Sequence, residues 1–195
     1  MVYSCTQKGL GAPSGMAPIV FSARARAFRL KAEATSPQEE SRSFRLKAED
    51  PRSFYFDVKL LEDYWVNRKY HHTISAPLVY ALREALVAVA EEGLEARWER
   101  HRVNHLALVD TLGALGLQLL PPPAERLWSL NAVSVPAGVD EARVRKRLLD
   151  EYDIEIGAGL GPLAGRIWRV GLMGSGSTRE NITRLADALK TLLAR

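Results

Sequence analysis

A single cysteine, Cys5, stands among 195 residues, which excludes an internal disulfide framework and leaves no thiol set at metal-ligand spacing. Aromatic residues are few, 8% of the chain, and the basic run described below lacks the regular ring interleaving of a strand-binding surface, so no nucleic-acid partner is expected. Long apolar runs are also missing. Each is broken by charge well before the ~20 residues that span a bilayer, and no charged-then-apolar leader pattern opens the sequence. No membrane partner is expected, and cytoplasm is the expected compartment. What is present is 47% hydrophobic residues, enough for one good core or one and a half domains.

The formal charge of +4 and pI near 9.3 are not spread evenly. Between Ser22 and Arg52 eight basic residues (Arg24, Arg26, Arg29, Lys31, Arg42, Arg45, Lys47 and Arg52) face five acids (Glu33, Glu39, Glu40, Glu49 and Asp50), so 8 − 5 = +3 of the +4 sits there. The same segment repeats itself: Phe28-Arg29-Leu30-Lys31-Ala32-Glu33 recurs as Phe44-Arg45-Leu46-Lys47-Ala48-Glu49. Two copies fall short of the three or more units that bury a continuous solenoid core. The reading is an inserted, repeat-containing solvated loop at 22–52 with some helical tendency, with a basic docking arm as the alternative.

Chemistry gathers elsewhere. Lys8 sits among small polar residues ahead of Gly9, Gly11, Pro13 and Gly15, a composition that puts a primary amine on a tight turn. Such an amine is a solvated surface charge unless a pocket lowers its pKa and makes it a nucleophile toward an aldehyde. Arg169, within the alternating run Ile167-Trp168-Arg169-Val170-Gly171-Leu172, must be paired with a core carboxylate or point into a cavity. Its planar fork suits a carboxylate in two-point fashion. His71 and His72, as neighbours on extended chain, are expected on opposite faces and unable to chelate one ion. His101 and His105, one helical turn apart beside Arg97 and Arg102, could hold a metal, but a solvated face is the expectation. The glycine groups at Gly157, Gly159 and Gly161 and at Gly174 and Gly176 lack P-loop or dinucleotide spacing and read as turns.

Several stretches together carry a resemblance. Tyr3-Ser4-Cys5-Thr6-Gln7-Lys8-Gly9-Leu10-Gly11-Ala12-Pro13-Ser14-Gly15 resembles the cofactor-lysine segment of class V aminotransferases, most nearly the alanine–glyoxylate (serine–pyruvate) type. Tyr70-His71-His72-Thr73, Asp153-Ile154-Glu155-Ile156 with Gly159-Leu160-Gly161-Pro162, Arg169-Val170-Gly171-Leu172 and Thr178-Arg179-Glu180-Asn181 are similar to the same family, in its order. The resemblance implies pyridoxal 5'-phosphate as cofactor and Lys8 as the Schiff-base lysine. It implies that Gln7 helps hold the phosphate, and that Tyr70 and Thr73 bond the cofactor phosphate of the other subunit of a homodimer. Arg169 would bind the α-carboxylate of the substrate. The implied reaction is transamination between a small amino acid (alanine or serine) and a 2-oxo acid (glyoxylate or pyruvate). In the family a large domain precedes the lysine and supplies the ring-stacking aromatic, the aspartate at the pyridine nitrogen and most of the phosphate cradle. None of these is in this sequence, and the family crosses 22–52 with a shorter connection.

The expected fold is therefore α/β, the C-terminal part of a fold-type I pyridoxal-phosphate transferase. Residues 1–92 would be a remnant of the cofactor-binding large domain and 93–195 a complete small α+β domain. Ile19-Val20-Phe21 reads as a buried strand, and Phe54 to Leu61 leads to Tyr64-Trp65 lying against the main body. Ser75 and Pro77 open a helix running to Gly93, with Leu78, Leu82, Leu86 and Val89 on a core or subunit face. A second helix, about Leu94 to Leu112, would turn Trp98, Leu106, Val109 and Leu112 inward. A strand at Leu127 to Val135, a helix capped by Asp140 with Val144, Leu148 and Leu149 inward, short strands at Ile154–Ile156 and Ile167–Leu172, and a last helix boxed by Ser177 and Glu180 complete the pattern. Two other functions stay open. A half-enzyme can serve without catalysis as a dimerisation or binding module, and another class V enzyme, a desulfurase or lyase, remains an alternative that the Tyr70 and Arg169 segments fit less well.

Overall fold

The computed structural model describes residues 2–20 and 53–194. The expected repeat-containing loop at 22–52, with its helical tendency, and Phe21 lie outside them. The chain divides into two compact units, one of Met1–Cys5 with Gly15–Tyr80 and one of Thr6–Ser14 with Ala81–Arg195.

In the first unit, β1 (Val2–Tyr3) pairs antiparallel with β2 (Ile19–Val20), Val2 opposite Val20 and Tyr3 opposite Ile19. Ile19 and Val20 are exposed, contrary to the buried strand expected, because no layer among the described residues covers the two-residue ribbon. The apolar stretch after Ser53 yields a helix the pattern did not announce, α1 (Val58–Asn67). Its start is set by Asp57, whose Oδ1 accepts from the N–H of Lys59 at 2.8 Å and of Leu60 at 3.4 Å, satisfying two of the donors a helix leaves free. Arg68, at φ 59°, closes it. Trp65, expected against the main body, is exposed, while Leu61 and Tyr64 are half-buried. The next helix, α2 (Ala76–Glu92), which belongs to the second unit from Ala81 onward, starts just after Ser75, whose carbonyl accepts from Val79 N–H. None of its residues is buried, so the leucine stripe is no core of this chain.

The second unit holds the core. It contains α3 (Leu94–Ala114), β3 (Leu130–Ser134), α4 (Glu141–Tyr152), β4 (Gly157–Ala158), β5 (Ile167–Gly171) and α5 (Arg179–Leu193). The strands form an antiparallel sheet in the order β3-β5-β4. Across it Asn131 faces Val170 and Val133 faces Trp168, all four buried. Alternation thus turns one face toward the helices, where Leu108, Leu112, Leu148, Ile182, Leu185 and Leu189 complete the cluster. Trp168 satisfies its indole by donating from Nε1 to the Glu141 carbonyl at 3.3 Å.

Boundaries depart from the sequence reading where tertiary partners end. β3 begins at Leu130 rather than Leu127, since its partner β5 stops at Gly171 ahead of the Gly174–Gly176 turn. Ile154–Ile156 is not a strand: Asp153 takes φ 54° to end α4 and Ile154 N–H still bonds the Leu148 carbonyl, so pairing starts only at Gly157. Asp140 caps α4 as expected, accepting from Arg143 N–H at 3.0 Å; Val144 and Leu148 are buried, whereas Leu149 is exposed. Among the described residues no helix is long and apolar enough to cross a membrane.

Candidate functional site

The lysine segment is a closed loop. Thr6 Oγ1–H donates to the Pro13 carbonyl at 2.6 Å and Ala12 N–H to the Thr6 carbonyl at 3.1 Å, while Gly11 N–H closes a tight turn on the Lys8 carbonyl at 2.9 Å. Thr6 and Ala12 are buried beneath it, and Gln7 and Lys8 project to solvent. Among the described residues no side chain pairs with the Lys8 amine. The loop meets the turn that follows β5. A Cβ on Gly174 would lie 3.1 Å from Gly11 Cα, and both glycines hold positive φ, 73° at Gly11 and 57° at Gly174, so neither position takes a side chain without strain.

Arg169 lies in the middle strand, opposite Ala132 on β3 and Gly157 on β4. It faces away from the helix-covered side that Trp168 and Val170 occupy. Its Nε–H donates to the Ala158 carbonyl at 2.6 Å, and no carboxylate among the described residues pairs with it. The guanidinium rests across β4 over bare backbone: a Cβ on Gly157 would come 3.2 Å from Nη2 and 3.3 Å from Nε. Gly159 is tighter still, a Cβ there falling 2.0 Å from the Leu163 carbonyl oxygen. Gly157 is therefore a strand residue, not part of a turn, while Gly161 and Gly174 do open turns.

Helix α3 faces the core with polar residues. Arg97, His101, Asn104, His105, Leu108 and Leu112 are buried, whereas Trp98 is 57% and Leu106 46% exposed. The expectation of Trp98 and Leu106 inward, and of His101, His105 and Arg97 on a solvated face, is overturned. Spacing alone could have placed Arg97, His101, Asn104 and His105 on the face of Leu108 and Leu112, but a hydrophobic template assigns polar residues outward. Their burial is tolerated because almost every polar atom is matched. Asn104 Nδ2 donates to the Ser177 carbonyl at 2.7 Å and to its hydroxyl at 3.2 Å. Asn131 Nδ2 donates to the Val170 carbonyl, which turns its Oδ1 toward the Nδ1–H of His105 at 2.7 Å. His101 Nδ1–H donates to the Arg97 carbonyl, leaving Nε2 buried and without a partner among the described residues. Ser177, so engaged, is not the cap of α5; Thr178 is, accepting from Asn181 N–H at 3.1 Å.

Arg97 and Arg100 share Glu92. Arg97 Nη1 donates to Oε2 at 2.7 Å, and Arg100 donates to Oε1 from Nε at 2.5 Å and to Oε2 from Nη2 at 3.0 Å. Hydrogen bonds from Arg100 first, then from Arg97, outweigh the opposing effect of burial and lower the Glu92 carboxyl from 4.5 to about 2. In the other unit, the Tyr70 hydroxyl and Thr73 Oγ1 lie 2.9 Å apart, both exposed. Between them the histidine rings converge instead of opposing. His71 Nε2–H donates to the Phe54 carbonyl at 3.0 Å, so its Nδ1 is the acceptor for His72 Nδ1–H at 2.7 Å. The backbone here follows no regular strand, which frees the rings from strict alternation. Among the described residues no three His, Cys, Asp or Glu side chains assemble as a metal set.

No protein-family model matches the chain. The (S)-ureidoglycine–glyoxylate transaminase of Bacillus subtilis (strain 168) is 41% identical over 194 residues, 97% of this chain and 47% of that protein. The alanine–glyoxylate aminotransferase of Felis catus is 39% identical over 200 residues, 100% of this chain and 45% of that protein. The crystal structure of an alanine–glyoxylate aminotransferase from Nostoc sp. matches with a TM-score of 0.84 at 42% identity, over 98% of this chain and 47% of that one. The chain spans about half the length of the relatives it matches, and its α/β fold is the corresponding half of a fold-type I pyridoxal-phosphate enzyme. Over that half-length, the chain is homologous to the alanine–glyoxylate and ureidoglycine–glyoxylate aminotransferases, class V pyridoxal-phosphate enzymes.

Proposed function

We propose that this chain carries the lysine-bearing half of a pyridoxal-phosphate transamination site, acting on a small amino acid, alanine or serine, and a 2-oxo acid, glyoxylate or pyruvate. One observation supports the reading above others. Arg169 spends Nε–H on the Ala158 carbonyl and meets no carboxylate among the described residues, so its two terminal nitrogens are left for a substrate carboxylate. The residues present fit the cofactor: Lys8 offers an amine without a pairing side chain on a glycine turn, and the Gln7 amide beside it projects to solvent.

When bound, pyridoxal phosphate supplies an aldehyde carbon for an amine and a ring that stores the electron pair left by a broken Cα–H bond. Lys8 Nζ would be the amine that holds that carbon between turnovers and, once freed by an incoming amino acid, the base placed to take up the Cα proton and give it back on the same face. Arg169 grips the α-carboxylate and thereby fixes the direction of the Cα–H bond. The Gln7 amide donates to the phosphate. The hydroxyls of Tyr70 and Thr73, 2.9 Å apart, serve the phosphate of the other subunit in a homodimer. Amino donor and keto acceptor react in turn.

The test is Arg169→Gln on cofactor-loaded protein. The alanine or serine concentration that half-saturates the change in its absorption spectrum should rise about ten- to a hundredfold, the range of a lost charge-assisted hydrogen bond. An unchanged half-saturation would remove Arg169 from the substrate site.

A further inference from the structure

The turn that carries Lys8 has little of its own to hold it. The Thr6 bonds to Ala12 and Pro13 clasp its base, but within 8–11 the one internal tie is Gly11 N–H to the Lys8 carbonyl, and glycine at positions 9 and 11 leaves that backbone many conformations. Among the described residues, a single side chain bonds the backbone of 8–11: Arg97, whose Nη2 donates to the Gly9 carbonyl at 2.9 Å. Arg97 is itself held. Glu92 ends α2, Gly93 turns the chain at φ 83°, and the first turns of α3 bring Arg97 and Arg100 back onto the Glu92 carboxylate. Arg100 then sends Nη1 the other way, to the carbonyls of Gly174 at 3.1 Å and Ser177 at 2.7 Å. One carboxylate therefore orients two arginine forks. One fork reaches the residue after Lys8, and the other reaches the loop into which the Arg169 strand runs.

We infer that Arg97 is a positioning residue for Lys8, fastening the lysine turn through the Gly9 carbonyl while Arg100, on the same Glu92, fastens the loop that follows β5. This rests on the transaminase reading of Lys8 and Arg169. The side chains of Arg97 and Glu92 are only 11% and 25% exposed, so water competes weakly for the pair and its geometry is fixed. Arg102, on the open side of the same helix, bonds only Glu99, one turn back, among the described residues, and serves as the control.

The experiment compares the full chain with Arg97→Ala, Arg97→Lys, Glu92→Gln and Arg102→Ala. Amide hydrogen exchange is followed in the 6–13 segment, and borohydride trapping of pyridoxal phosphate on Lys8 is followed in time. Arg97→Ala should speed exchange at Gly11 and slow trapping about tenfold, the factor of one lost charge-assisted hydrogen bond. Arg97→Lys, which keeps a donor, should recover most of both, and Glu92→Gln should loosen the turn with Arg97 in place. Arg102→Ala should change neither. Wild-type exchange and trapping in Arg97→Ala, or in Glu92→Gln if the alanine variant does not fold, would overturn the positioning role. Faster exchange in the variant with no trapping on Lys8 in the wild type would instead overturn the transaminase reading on which it rests.

Discussion

Ion pairs that look alike in the sequence differ in what they hold. Glu99, Asp150 and Glu151 each meet a partner within one turn on an open helix face, where solvent screening leaves little net stabilisation. Glu92 accepts from two arginines in a partly buried pocket, Arg100 before Arg97, and its carboxyl is lowered from 4.5 to about 2. A folded-state pKa below the unfolded one means that the unfolded chain binds the proton more tightly. The stabilisation is complete above about 4.5 and is lost as pH falls from there toward about 2. The urea midpoint of the wild type should thus drop between about pH 5 and about pH 3 by more than that of Glu92→Gln, which has no carboxyl to protonate. Equal drops would mean that the pair contributes nothing to folding. Lys8 and Arg169 stand out in the sequence as candidates because each is a cation in a context of small or apolar residues. Glu92, Arg97 and His101 do not, because they sit among other charges and only the turn at Gly93 shows which of them meet.

Among the elements, β5 and the helix capped by Asp140 were read well, whereas β4 was expected three residues early, α1 was missed and the phase of α3 was misread. Period-two alternation in Ile167–Gly171 and an aspartate ahead of Glu141–Tyr152 each leave one reading. Ser177 and Thr178 do not, since both are cap residue types near Glu180. The tertiary bond from Asn104 removes Ser177 and leaves Thr178 as cap. In α3 the apolar residues lie on two sides, Trp98 and Leu106 on one, Leu108 and Leu112 on the other, and burial of a matched polar row decides between them. Leu112→Ala should cost about 2–5 kcal/mol in urea unfolding, the range for a truncated core leucine. Trp98→Ala should stay within about 0.5 kcal/mol. The reverse order would put the helix in the phase that hydrophobic spacing suggested.

For the molecule as a whole, the order of the motifs told more than any composition figure. Matches at the lysine turn, at Tyr70–Thr73 and at the last strand and helix gave the half-family correspondence that the relatives of 39–41% identity bear out. The pairing of Val2–Tyr3 with Ile19–Val20, and the joining of Thr6–Ser14 to the unit of Ala81–Arg195, lay beyond reach. Both depend on contacts between segments whose sequences carry no mutual signature. Placing that loop in the unit of Arg169 brings the two residues central to the proposed chemistry onto one scaffold. The most direct test is to incubate the protein with pyridoxal phosphate, reduce with borohydride, and locate the pyridoxyl group by peptide mass, with Lys8→Ala as control. The account predicts one adduct per chain, on Lys8, and none in the control. Labelling scattered over surface lysines, or unchanged by Lys8→Ala, would contradict it.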